Sequence, residues 1–151
     1  MSTDSVIIAS YARTPIGGFQ GVFASLKATE LGAAAAKAAV ERARALPHAI
    51  DRIYIGCVLS AGLGQAPARQ VALGAGLPIS VEATTINKMC GSGMQAAIMA
   101  YDALAAGSIN IAIAGGMESM TNAPYALPKH RSGAKMGHDT IIDTMMMDGL
   151  E

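Results

Sequence analysis

Along the first 121 residues, short apolar runs alternate with stretches of helical period, and that alternation admits few folds. Val6–Tyr11 (VIIASY) is a β-branched run that reads as a strand, broken afterwards by Arg13, Thr14, Pro15 and the glycines at 17, 18 and 21. Leu31–Leu46 is rich in alanine, with Lys37, Glu41, Arg42 and Arg44 on one polar side. Thr29 is placed to cap it and Pro47 to stop it, so a helix is expected. Ile53–Leu59 (IYIGCVL) is apolar and too short for a helix, which makes it a second strand. Gly62 and Gly64 mark a loop, and Pro67 suits the first position of a short helix running to about Ala75. Ala83–Lys88, half polar, is a third strand, and Ile109–Ala114 a fourth. Between them, Gly93–Ala106 sets Met94, Ala97, Ile98, Tyr101 and Leu104 at helical spacing. Asp102 is its only charge, so this helix is expected to be buried on most sides. The order β-α-β-α-β-α-β predicts an α/β fold, a parallel sheet with helices on its faces.

After Gly116 the texture changes. Residues 120–140 carry Pro124, Pro128, Gly133 and Gly137 with few apolar runs, and Thr140–Leu150 (TIIDTMMMDGL) reads as a helix or an extended arm. The spacing places a boundary near residue 121. Hydrophobic residues make up 52% of the 151, charged residues 15%, and the formal net charge is zero. Nucleic-acid binding calls for a basic face that this balance does not supply. Apolar runs fall short of the roughly 18 residues that span a bilayer, so no membrane segment is expected. The N-terminal residues lack the basic region of a secretory signal. A reducing, cytoplasmic setting with both cysteines free is therefore expected. So much apolar sequence with so little charge predicts large surfaces hidden against other protein, within one subunit or between subunits.

The chemistry concentrates in NKMCGSGMQA, residues 87–96. A parallel strand delivers its last residue to the C-terminal edge of the sheet, where sites on α/β folds form. The next helix opens there with unpaired N–H groups and a partial positive charge. A thiol at that point, Cys90, has its thiolate stabilised, and the same N–H groups can face an oxyanion formed when sulfur attacks a carbonyl. These residues fit a cysteine nucleophile for acyl transfer. The plain alternative is a small buried cysteine at a tight turn. A rival reading takes Gly91-x-Gly93-x-x-Ala96 as a dinucleotide fingerprint, with Glu118 as the ribose-binding acid. Against it, the fingerprint sits in the third βαβ unit rather than the first, and the preceding strand is unusually polar.

The remaining polar candidates read as structure. Cys57 lies inside an apolar strand and reads as core. Gly62-x-Gly64 and Gly74-x-Gly76 lack the Lys-Ser/Thr of a phosphate loop. His48, His130 and His138 read as surface residues with no spacing that ties them to Cys90. Asp139 and Asp143 read as a solvated face, and Met145–Met147 as an adaptable apolar contact. No Cys/His grouping has metal-ligand spacing, so no metal is expected. The residues alone thus present a nucleophile and an oxyanion-type backbone without a base.

NKMCGSGMQA resembles the nucleophile segment of the thiolases, the acetyl-CoA acetyltransferases. ARTPIGGFQG at 12–21, GQAPARQ at 64–70, AGGMESMTNAPY at 114–125 and DTMMMDGL at 143–150 are similar to thiolase segments in the same order. The NKxCGSG form looks like the short-chain, acetoacetyl-CoA branch; longer-chain relatives tend to carry RQCSSG there. The resemblance implies an αβαβα layered fold of two βαβαβαββ halves with a loop domain inserted in the first. Residues 1–121 would form most of the first half and 122–151 the start of the loop domain. Cys90 would take the acyl group from coenzyme A, its own N–H serving an oxyanion hole. No permanent cofactor is implied, only coenzyme A thioesters as substrates, and the assembly would be a dimer of dimers. The family's base histidine lies in a GHP segment and its second cysteine in a CxGGG segment, neither of which occurs here. The expectation is therefore a thiolase cut within its loop domain, without turnover of its own. A non-catalytic domain that binds coenzyme A or a partner subunit stands as the alternative.

Overall fold

A computed structural model describes residues 5–151. Three parallel strands, β1 (Arg52–Gly56), β2 (Glu82–Ile86) and β3 (Ala112–Gly116), form a sheet in the order β2-β1-β3. β1 is in the middle and pairs residue for residue with both neighbours, from Arg52 against Glu82 and Ala112 to Gly56 against Ile86 and Gly116. Helices α1 (Ala28–Ala43) and α2 (Pro67–Gly74) cover one face, and α3 (Ser92–Ala105) covers the other. The larger core joins Ala36, Val40, Ile53, Ile55, Val71 and Val81 on the first face. The smaller one joins Tyr54, Ala96, Ala100 and Ile109 on the second. Alternate residues of β1 point to opposite faces, which is why Ile53 and Ile55 enter one core and Tyr54 the other.

The α/β class and the parallel sheet agree with the sequence reading. The first strand does not. Val6–Tyr11 forms no strand, and Ile7, Ile8 and Tyr11 are exposed. The segment is bound to α1 instead, where the Ser10 hydroxyl donates to Ala39 O at 2.6 Å and Arg42 Nη1 donates to Tyr11 O at 2.9 Å. A β-branched run becomes a strand only when another strand presents its backbone groups, and none does so here. The other boundaries shift by a few residues. α1 begins after Lys27 rather than Thr29, because the Glu30 carboxylate accepts the Lys27 N–H at 2.7 Å and closes the first turn. It ends at Ala43, where Arg44 turns left-handed at φ +52° and the Ala45 N–H returns to Val40 O. β3 begins at Ala112 because the Asp51 carboxylate receives the N–H groups of Asn110 and Ile111 just before it.

α3 corrects a second expectation. The stripe marked by Met94, Ile98 and Tyr101 faces outward and is exposed. The sheet is met by Ala96 and Ala100, with Met99, Ala103 and Leu104 beside them. Small residues win the inner face because the helix lies close to the strands, with Gly93 backbone near Gly116 and Gly56.

Residues 122–151 contain a two-residue antiparallel pair, β4 (Tyr125–Ala126) with β5 (Ile142–Asp143), and a short helix, α4 (Thr144–Gly149). Thr140–Leu150 is thus part strand and part helix. Asp143 caps α4 by accepting the Met145 N–H at 2.9 Å, and the Asp139 carboxylate lies 2.8 Å from His130 Nδ1. Neither acid belongs to a solvated helix face, since each serves a local partner. Among the described residues no helix is long and apolar enough to cross a membrane.

Candidate active site at the β2–α3 turn

Cys90 stands in the turn between β2 and α3, and its side chain is exposed. The buried-cysteine alternative is therefore set aside. The turn is tightly specified. Met89 has φ +47°, a left-handed conformation that a long side chain rarely adopts. Three hydrogen bonds hold Met89 itself and two more close the turn around it. Asn87 Oδ1 accepts the Met89 N–H at 3.0 Å. The Ser92 hydroxyl donates to Met89 O at 2.6 Å and accepts the Lys88 N–H at 2.8 Å. The Gly91 and Ser92 N–H groups return to Lys88 O and Met89 O, both at 3.0 Å. The Lys88 ammonium is drawn along α3 to Gln95 Oε1 at 2.8 Å. Strain held by surrounding bonds is a frequent mark of functional positions.

Ser92 is one of few buried polar residues, at 5% exposure. Its removal takes the hydroxyl partner from both the Lys88 N–H and the Met89 carbonyl. Ser92→Ala is expected to cost about 1–3 kcal/mol, a price set by the unpaired donor. Thermal denaturation of the full chain reads it; a melting temperature equal to wild type would show that the clasp is not structural.

The helix beyond the turn sits unusually close to the sheet. A Cβ on Gly56 would lie 2.5 Å from Ser92 C and 2.6 Å from Gly93 N. On Gly116 it would lie 3.4 Å from Gly93 Cα. Gly93 thus serves helix–strand packing. Glu118, the other residue of the dinucleotide reading, is also committed elsewhere: its carboxylate accepts the N–H groups of Val58 (3.0 Å) and Leu59 (2.9 Å). The fingerprint letters are explained by the closeness of α3 to the strand ends.

Cys57 is buried, as expected of core, and its thiol is pushed up to about 12 by burial first and then by the charge and hydrogen bond of Glu118. In the unfolded chain it would ionise near its ordinary 9.0. Between these values the unfolded chain holds fewer protons, so folding stability is full below pH 9 and falls as pH rises toward 12. Cys57→Ser has no group titrating there. Its melting temperature is expected to fall less steeply above pH 9 than that of wild type; parallel slopes would refute the assignment.

A cleft of about 400 Å³ opens between residues 12–23 and 116–121, with Arg13, Phe19, Met117 and Glu118 among its walls. Cys90 is not among its lining residues and stands on open surface. His130 is paired with Asp139 rather than brought to the thiol. Among the described residues, no group of three or more His, Cys, Asp or Glu is arranged to hold a metal ion. Sequence reasoning set Cys90 at the strand–helix junction, where the structure has it, but did not single out the contacts of Asn87, Ser92 and Glu118. Asn87 was legible as an asparagine two residues before a left-handed position; Glu118 carries no local signal, since its partners lie about 60 residues away.

Comparison with known proteins gives the family and the fold. The family model described as "Thiolase, N-terminal domain" matches residues 6–151. The acetyl-CoA acetyltransferase of Schizosaccharomyces pombe is 51% identical over 150 residues, covering 99% of this chain and 38% of that protein. The cytosolic acetyl-CoA acetyltransferase ERG10 of Gibberella zeae is 52% identical over 145 residues, covering 96% of this chain and 37% of that protein. The crystal structure of Acat5 thiolase from Ascaris suum, in complex with coenzyme A, superposes with a TM-score of 0.91 at 41% identity, over 95% of this chain and 37% of that one. The chain thus spans less than two-fifths of the length of these relatives. A match over nearly every residue, joined to the same αβ architecture, means that the chain belongs to the thiolase family, as its N-terminal domain.

Proposed function

We propose that this chain supplies the nucleophile half of an acetyl-CoA C-acetyltransferase, with Cys90 as the acyl carrier. The observation that carries the reading is an exposed cysteine in a strained, triply held turn at the mouth of α3, in a chain about half identical to acetyl-CoA acetyltransferases. Short of that, the substrate class rests on the relatives' names and on the Acat5 complex with coenzyme A.

In this reading the Cys90 thiolate attacks the carbonyl carbon of acetyl-CoA. The oxygen gains the electron pair and is met by the Cys90 N–H, which donates to no turn acceptor among the described residues. The pair then returns, the bond from carbon to coenzyme A sulfur breaks, and coenzyme A leaves with the proton that the Cys90 thiol gave up on forming the thiolate. A second acetyl-CoA gives up an α-proton to a base, and its carbon attacks acetyl-Cys90. The new C–C bond makes acetoacetyl-CoA and frees the Cys90 thiolate. The resemblance assigns proton transfer to a GHP histidine and a CxGGG cysteine, segments not found in these 151 residues. Gly137-His138-Asp139 does not substitute, lacking the proline.

We infer in addition that residues 1–121 belong to the first half and 122–151 to the start of the loop domain. The exposed stripe of α3 and the unpaired Val6–Tyr11 segment await the rest of the enzyme as cover. The family resemblance favours a dimer of dimers; a cytoplasmic setting rests on the sequence reading and on one relative being named as cytosolic. The test is mass spectrometry of the natural full-length protein after exposure to acetyl-CoA. One acetyl group is expected on the Cys90 peptide, removed by added coenzyme A. An unmodified Cys90 with no acetyl transfer would favour a non-catalytic domain that binds coenzyme A or a partner subunit.

A further inference from the structure

We infer that Glu118 is a positioning residue for Cys90, acting through the end of β1 and through Asn87. The inference rests on the reading of Cys90 as nucleophile. Glu118 follows β3 by two residues, and its carboxylate reaches across the edge of the sheet to the chain leaving β1. Oε2 accepts the Val58 N–H at 3.0 Å and Oε1 accepts the Leu59 N–H at 2.9 Å. The Cys57 thiol donates to Oε1 at 3.6 Å. One carboxylate therefore takes donors from three consecutive residues. An ionised carboxyl has acceptors on both oxygens, whereas an amide would turn a donor toward one of the N–H groups.

What the carboxylate holds is itself a link to the thiol. With Val58 fixed, its carbonyl accepts from Asn87 Nδ2 at 3.5 Å. The other end of that amide, Oδ1, accepts the Met89 N–H at 3.0 Å. Met89 is the left-handed residue immediately before Cys90. The Cys57 N–H, donated to Ile86 O at 2.9 Å, ties the same two strand ends one step earlier. A path of hydrogen bonds thus runs from Glu118 through Val58 and Asn87 to the strained turn. Reacting groups need placement within about half an ångström, which neighbours supply by locking their conformations. Glu118 makes no hydrogen bond to the Cys90 thiol, so its effect passes through the turn.

The experiment is a double-mutant cycle in the full-length protein with Glu118→Gln, Asn87→Ala and both together. It is read as the second-order rate of Cys90 alkylation by iodoacetamide, measured on the Cys90 peptide. Each single change is expected to lower the rate about fivefold, and the pair no further, because both break one path. A purely structural role would lower the melting temperature and leave alkylation of the folded protein unmoved, and that result overturns the inference. So do two factors that multiply in the double variant, or an unchanged rate in Asn87→Ala, whose side chain is exposed and whose loss tests the path from its other end. Should Glu118→Gln not fold, Glu118→Asp, which keeps the charge but falls short by a methylene, takes its place in the cycle. In acetyl transfer the same variants should lower kcat with KM little changed. Alkylation needs no acetyl-CoA, so a wild-type protein that never acetylates Cys90 sinks the nucleophile reading while the cycle still decides the path.

Discussion

Cys90→Ala in the full-length protein is expected to lower acetyl transfer by about 10⁴-fold or more, because the covalent route closes altogether. The side chain is exposed, and no hydrogen bond of the turn is made by its sulfur. Its loss should therefore leave folding within about 0.5 kcal/mol of wild type. That separation makes the test clean, since activity disappears from a protein that still melts normally. The assay is exchange of labelled coenzyme A into acetyl-CoA, which needs only the first half-reaction. Exchange that persisted in the variant would remove Cys90 from the mechanism. Loss of exchange together with loss of fold would instead mean that the thiol packs, against its exposure.

Gly56→Ala is expected to give the largest loss of stability of any single substitution considered, about 3 kcal/mol or more. A Cβ there meets Ser92 C, Gly93 N and Ser92 Cβ between 2.5 and 2.7 Å, and two of these are backbone atoms that cannot rotate aside. Relief requires α3 to lift from the sheet. That motion would open the contact of Ala96 and Ala100 with Tyr54 and disturb Ser92, which clasps the Met89 turn. Cys90 reactivity should therefore fall with stability in this variant. Urea denaturation of the full-length protein measures the cost. Gly76→Ala offers a contrast: its Cβ would meet nothing within 4 Å, although its φ of +83° is costly for alanine. A loss at Gly56 no larger than at Gly76 would show that the helix can yield, and that the closeness of α3 to β1 is not required.

Much of this architecture was legible in the order of residues. The apolar runs around Ile53 and Ile113, separated by the α2 and α3 segments, are enough for a parallel α/β sheet, since parallel neighbours need a helical crossover. Cys90 was legible for a related reason: strand, cysteine, Gly-Ser-Gly and helix follow within a few residues, and a strand leading into a helix puts its junction at the sheet edge. The Val6–Tyr11 strand misled because β-branched composition reports only suitability for a sheet. Whether a neighbour is present is a property of the folded chain. The stripe on α3 misled because helical spacing identifies an apolar face without saying which body it meets. The sheet took the alanine face, where close approach was possible, and left Met94, Ile98 and Tyr101 outside.

The sequence by itself determined most of the alternation of elements, the place of Cys90 at a strand–helix junction and the likeness to the thiolases. Those are local patterns, readable within a dozen residues or as motifs in fixed order. Only the tertiary structure decided that Gly56, Gly93 and Gly116 meet, and that Glu118 reaches the N–H groups of Val58 and Leu59. These contacts join β1, β3 and α3 across some 20 to 60 positions of chain. No local preference encodes such pairings, because they exist only once the three strands share a sheet and α3 lies against it.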